Sequence, residues 1–531
     1  MLVDLRELEA GSRLECDLCI IGAGVAGITL ARQFIGSKTR VCLLESGGTD
    51  FETDTQELYR GDNLGVEYYP LDDSRLRFFG GSTLVGDGRC VPLDPLDFER
   101  RSWVPHSGWP ISREDLDPFY RRAHEAFELE SWIHDERLWE ELQDNPPAFD
   151  RKVLRTTFWQ FDERHARFGF QSCQDLATAV NVRVLVHANV TNIQLKPEGN
   201  EVDYLDVATL TGRRSRMRAG SFVLAAGGIE NPRILLASDG VQTQGVGNQN
   251  DLVGRFFMEH PRGRAGELIC KNPYRLLATY RKRRTRRGLM VAPVLSPSDE
   301  LQRSAEVLNS SVEVTCRRRV DLGVSGAKQH YSTVKHWSNP TNARHRIWRA
   351  CKSLSHELAS SSVRRIGLAR GSHRLYLSVR GEQAPNPDSR VRLSSTRDTL
   401  GVPQADLDWR MSSLDKQSVA VLVENLSEEL ERLGLGRVEP SEWLSVEDAA
   451  WPNDPTVGTH PIGGYHHMGT TRMSASPAEG VVDQNSRVHG VQNLYLAGSS
   501  IFPTGGWADP NLTIVAMTLR LADHLKRDSS R

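Results

Sequence analysis

Between residues 16 and 46 the chain switches between two hydrophobic patterns. CDLCIIG is an almost wholly apolar run, as a strand buried on both faces requires. It breaks at Gly22-Ala23-Gly24-Val25-Ala26-Gly27, after which Ile28, Leu30, Ala31 and Phe34 recur at helical spacing. A second apolar run, Val41 to Leu44, ends at Glu45. The same strand-to-glycine break returns twice. SFVLAAGGIENPRILLAS (Ser221 to Ser238) predicts a buried strand, a Gly227-Gly228 turn and a new helix with Pro232 near its start. NLYLAGSSIFPTGG (Asn493 to Gly506) predicts a strand running into a small-residue turn. Between these segments, RLYLSVRGEQAPNPDSRVRLS (Arg374 to Ser394) predicts strands separated by a Pro/Asn turn. From Leu414 to Leu435, Val419, Leu422, Leu426 and Leu430 form one stripe of an amphipathic helix. The chain closes on another helix, with Pro510 at its first position and Ile514, Met517, Leu521 and Leu525 on its apolar face. Lys335 to Arg365 carries mixed signals and reads as a helical excursion or a lid.

Composition narrows the class without naming a function. A chain of 531 residues, 39% hydrophobic and 25% charged, predicts a globular protein of two domains. A formal net charge of −2 gives no general attraction to nucleic acid or anionic lipid. No apolar run approaches the roughly 20 residues that span a bilayer. The N-terminal MLVDLRELEAGSRLE lacks the basic and apolar segments of a signal peptide, so a cytoplasmic location is expected. Eight scattered cysteines argue against a disulfide framework. Cys16 and Cys19 form C-x-x-C inside a strand pattern, with no second pair to complete a metal site, and are read as buried thiols. No metal is expected. RKRRTRR (Arg281 to Arg287) lacks interleaved aromatics and is read as a solvated loop or hairpin face.

The first glycine cluster carries the clearest chemistry. Strand, G-x-G-x-x-G, helix, strand and acid appear in the order of a dinucleotide site. Gly22 permits the tight turn, Gly24 lets a pyrophosphate approach the backbone, and Gly27 lets helix and strand pack closely. The helix N-terminus offers free amides to phosphate, and Glu45 stands where a carboxylate accepts from ribose hydroxyls. This stretch alone does not choose between FAD and NAD. Three strand-to-glycine turns suit a large cofactor laid across several strand ends, or simply three turns of one open sheet.

Further motifs choose between these readings. FFGGSTLVGDGRCVPLDPLDFERR (Phe78 to Arg101), SGWPISREDLDPFY (Ser107 to Tyr120), LAAGGIENPRILLAS, YHHMGTTRM (Tyr465 to Met473), and VVDQNSRVHGVQNLYLAGSSIFPT followed by PNLT resemble the glucose-methanol-choline (GMC) family of FAD-dependent oxidoreductases. The pattern is closest to bacterial members related to pyranose oxidase. The likeness is good at both ends and loose between about 265 and 450. It implies an α/β (α+β overall) fold, with a Rossmann-type FAD-binding domain from 1–265 and 455–531. A mostly antiparallel-sheet substrate domain, 266–454, would be inserted into it. It also implies cofactor contacts at Gly81, Ser82, Val190, Ala226 and Gly498, and at the backbone of Asn511 and Leu512. With no histidine in Gly80 to Gly86, non-covalent FAD is expected.

The resemblance places the family's base on His466 rather than His467. A neutral imidazole suits removal of a hydroxyl proton while hydride leaves the same carbon. Aligned on Pro510, Asp509 falls where the family usually has a second active-site Asn or His. Aspartate is a good helix cap, which alone would explain the residue. When ionised it cannot donate to a substrate oxygen as Asn can. It would therefore stay protonated, pair with a cationic substrate such as an amino sugar, or weaken the oxidase function. A dual role, cap and active-site neighbour, is the favoured expectation. The expected reaction is oxidation of a CH–OH group in a polar alcohol, sugar, glycoside or sugar-bearing metabolite. Oxygen, a quinone or a redox partner protein would accept the electrons. The alternative is a non-redox lyase or isomerase keeping FAD as a structural group. An NAD enzyme would share only the first motif.

Overall fold

The long apolar runs pair with each other, as strands covered on both faces must. The computed structural model describes the chain apart from residues 10, 12, 130, 165, 319–363, 447–448, 455–456, 458–460 and 529–531. All but the last two residues of the mixed-signal stretch from Lys335 to Arg365 therefore lie outside the described residues.

The first sheet is Rossmann-like. Leu2–Asp4, Val182–Val186, Val41–Leu44, Arg13–Ile21 and Arg214–Leu224 lie side by side and parallel. Leu494–Leu496, from near the C-terminus, joins in parallel at the C-terminal end of Arg214–Leu224. The N-terminal half of that long strand instead carries an antiparallel extension, Val202–Ala208 and then Asn189–Leu195. Helices Val25–Arg32 and Asn511–Asp528 pack together, with Arg113–Ala126 against the latter. Their apolar residues share one core with the sheet, including Cys16 and Cys19, both buried free thiols. The C-terminal ends of the parallel strands open onto one cleft, where ligands of open α/β sheets bind.

The second sheet is antiparallel throughout. Its order is Gly436–Pro440, Arg262–Cys270, His373–Arg380, Ser311–Arg318, Met290–Pro297, Leu154–Phe161 and Arg89–Cys90. Helix Ser413–Arg432 supplies Val419, Leu422, Leu426 and Leu430 to its core. Strands Arg89–Cys90 and Leu154–Phe161 enter this sheet from the segment expected in the other domain. The strands expected either side of the Pro/Asn turn do not pair with each other. His373–Arg380 lies in the large sheet, and Arg390–Arg397 forms a two-stranded sheet with Pro403–Asp408. The basic run folds as a hairpin, Arg283–Arg284 against Met290–Val291, with Arg283 on Asp144 and Arg284 on Glu163. Among the described residues no helix is long and apolar enough to cross a membrane.

Candidate active site

The glycines shape the nucleotide end of the cleft. Gly22 has φ +103°, and a Cβ there would meet the Ala225 carbonyl at 2.7 Å. A Cβ on Gly27 would lie 1.9 Å from the Gly22 carbonyl oxygen, so helix and strand touch at backbone distance. Gly24 faces open space in the cleft, as a phosphate cradle requires. Glu45 is buried and accepts from the amides of Ala23 and Gly47, each at 2.9 Å. Each oxygen keeps a lone pair for a further donor. Burial nevertheless pushes its carboxyl above the usual range.

Gly81, Ser82, Val190, Ala226, Gly498 and Asn511 line the same cleft, together with His466 and Asp509. Gly27 does not line it, consistent with a packing role. Leu512 has no exposed surface and lies in the core. The cleft thus offers small residues, a free helix N-terminus at Asn511 and an acid at a strand end, a donor and acceptor set that fits a dinucleotide.

At the other end, two segments pair through a backbone bridge. Met258 and Met468 exchange N–H···O bonds, both 3.0 Å, in antiparallel register. That register sets His260 opposite His466, and their Nδ1 atoms lie 2.8 Å apart. Glu259, fully buried, gathers the loop around them. It accepts from the amides of His260 (2.7 Å), Gly464 (3.1 Å) and His466 (2.9 Å), and from the Tyr68 hydroxyl. His467 points away, its Nε2 3.0 Å from the Tyr68 hydroxyl, and its ring packs near Phe257. Burial holds the His260 imidazole down at about 4, so it is neutral near pH 7.

Asp509 is not the cap. The helix begins at Asn511, and the Pro510 carbonyl accepts from the Ile514 amide, so Pro510 is the flanking residue rather than the first helical one. The Asp509 carboxylate turns the other way and forms a buried ion pair with Arg380. It also lies 3.7 Å from His466 Nε2. Arg380 stacks over Trp159, and burial, with Arg262 nearby, lowers its guanidinium to about 9. Glu313, engaged by Arg89, is 3.6 Å from Arg380 on its far side. His260, Glu259, Arg262 and Arg380 carry no motif spacing. Only contact across the fold reveals them.

The GMC oxidoreductase family model matches residues 385–518. That match, with the relatives below, supports membership of the GMC oxidoreductase family. The same similarity supports an FAD-dependent oxidoreductase. Among its relatives, a 2-methyl-1,2-propanediol dehydrogenase of Mycolicibacterium austroafricanum is 23% identical over 97% of this chain and 95% of its own length. A fructose dehydrogenase large subunit of Gluconobacter japonicus is 25% identical over 97% and 98%. A paromamine 6'-oxidase of Streptomyces fradiae is 22% identical over 96% and 91%. The crystal structure of a formate oxidase shares the fold at TM-score 0.55 and 16% identity, covering 98% of this chain and 99% of that one.

Proposed function

We propose that this enzyme oxidises a CH–OH group of a polyol, sugar or glycoside, with His466 Nε2 as the proton acceptor. The observation that carries this is the His260–His466–Asp509 cluster at the end of the cleft. The relatives, acting by name on a propanediol, fructose and paromamine, support the substrate class. The cleft at the strand ends would hold FAD without a covalent tether, and FAD would supply the hydride acceptor. The residues lining the cleft, from Gly22 to Asn511, are the proposed contacts.

The tautomers follow from the hydrogen bonds. His260 Nε2 faces the Gly505 carbonyl oxygen at 3.4 Å, which only accepts, so that nitrogen carries the hydrogen of the neutral ring. His260 Nδ1 therefore accepts from His466 Nδ1–H. This leaves the lone pair of His466 on Nε2. A substrate hydroxyl placed against Nε2 loses its proton there, and Asp509, 3.7 Å away, stabilises the imidazolium that forms. Arg380 balances the carboxylate, so the site does not hold an uncompensated negative charge.

Asp509 needs neither protonation nor a cationic substrate to be accommodated, because its partner is internal. Its remaining lone pairs accept from a second substrate hydroxyl, which favours polyhydroxy compounds over simple alcohols. The test is an anaerobic panel of 2-methyl-1,2-propanediol, fructose, glucosides and paromamine, followed by flavin absorbance. Bleaching by at least one of these is expected. Turnover of any substrate without a change in flavin absorbance would instead support the lyase reading. Peroxide formation on admitting air separates oxygen from a quinone or protein acceptor.

A further inference from the structure

Three arginines gather behind Asp509, and among the described residues only two of them have a carboxylate partner. Arg89 engages Glu313, and Arg380 engages Asp509. Asp87 also approaches Arg89, at 3.5 Å, but from an exposed position. Arg262 lines the cleft, half-buried, with no carboxylate within ion-pair distance among the described residues and its buried Nε without a hydrogen-bond partner. Its strand register sets it directly opposite Arg380, a cation beside a cation. Arg380 itself, almost fully buried, leaves Nε and Nη2 without hydrogen bonds.

The location of Arg262 gives this excess a purpose. A Cβ on Gly464 would lie 2.8 Å from His466 Nδ1, 2.9 Å from His466 Cε1 and 3.4 Å from Arg262 Nη2. The guanidinium therefore stands by the Nδ1–Cε1 edge of the imidazole, while Asp509 stands by Nε2. An unmatched guanidinium in a partly dry cleft gains most from an anion that fits its planar fork. From these contacts we infer that Arg262 binds a carboxylate group of the substrate, so that the preferred alcohols are hydroxy acids such as sugar acids. The inference rests on the reading of His466 as the site of oxidation. It adds an acidic group within one small molecule's reach of the hydroxyl.

The test compares matched pairs, D-glucuronate with D-glucose and glycerate with glycerol. Equilibrium binding to the oxidised holoenzyme is read by calorimetry. The acid of each pair should bind about 10- to 100-fold more tightly, as for one charge-assisted contact, and less so at high salt. Arg262→Gln should abolish that preference, and Arg262→Lys, which keeps the charge but not the fork, should retain part of it. Melting temperature and flavin content verify folding of both variants. Equal affinity for acid and neutral partners, or a preference that survives in Arg262→Gln, overturns the inference. So does loss of flavin from a folded Arg262→Gln, which would assign the arginine to the cofactor. Acids that bind through Arg262 but never bleach the flavin would leave the subsite standing and count against the CH–OH reading.

Discussion

At the scale of single residues, the decisive feature is what each polar group in the cleft is bonded to. Were Asp509 a helix cap, asparagine would replace it at little cost. As the partner of a buried arginine it is not replaceable in that way. Asp509→Asn should lower the unfolding free energy by about 3–5 kcal/mol in denaturant titration, the usual cost of stranding a buried charge. An unchanged midpoint would restore the cap. His260 is a positioning residue, and its contribution is an acceptor for His466 Nδ1–H. Glutamine at 260 can accept that hydrogen and leucine cannot. Flavin reduction should follow wild type, then His260→Gln, then His260→Leu, with the last slowed roughly 10- to 100-fold in kcat and little changed in KM. Equal rates in the two variants would remove His260 from the mechanism. From the sequence, His466 and Asp509 were legible because a motif and a proline fix their places. Arg380 was not, because the choice of partner for Asp509 is made by a strand 129 residues away.

At the scale of elements, backbone contacts set the geometry. The turn, helix and strand from Cys16 to Glu45 were readable because each glycine answers a local demand. Gly27→Ala would drive a methyl into the Gly22 carbonyl, 1.9 Å away. Overpacking of this kind costs about 1–3 kcal/mol. The variant should melt lower and be purified with substoichiometric flavin, and full flavin occupancy would contradict the packing. Gly464→Ala places its methyl 2.8 Å from His466 Nδ1 and should keep flavin but slow its reduction. The pairing of segment 256–260 with 466–470 was not readable. It is a single bridge between loops, with no alternation of apolar residues to announce it. The strands around the Pro/Asn turn were legible as strands, but their partners, in two different sheets, are set by contacts no local pattern announces.

At the scale of the whole molecule, buried ion pairs tie distant segments together. Arg101 and Glu382, their side chains fully buried, join the N-terminal half to the segment following strand His373–Arg380. Glu230 accepts from Arg75, Arg77 and Arg233, and Arg233 reaches on to Asp398. Burial opposes ionisation of Glu230, but the three guanidinium groups prevail and hold its carboxyl at about 2. A folded value below the unfolded one gives stability that is present above pH 4.5 and lost as pH falls towards 2. Glu230→Gln should therefore flatten the acid limb of the stability curve between about pH 4.5 and 2, measured by urea unfolding at each pH. An unaltered slope would show that other groups govern acid unfolding. Length pointed to two domains, and the family resemblance implied their two sheets. The division at 265/266 and 454/455 stays a proposal, since segment 89–161 lends strands to the second sheet.

The most direct test of the account is the rate of anaerobic flavin bleaching in His466→Ala against wild type, with a substrate found active in the panel and flavin content matched. Bleaching slowed roughly a hundredfold or more, with flavin fully retained, is the predicted result. Bleaching at the wild-type rate would contradict the assignment of the proton to His466 Nε2.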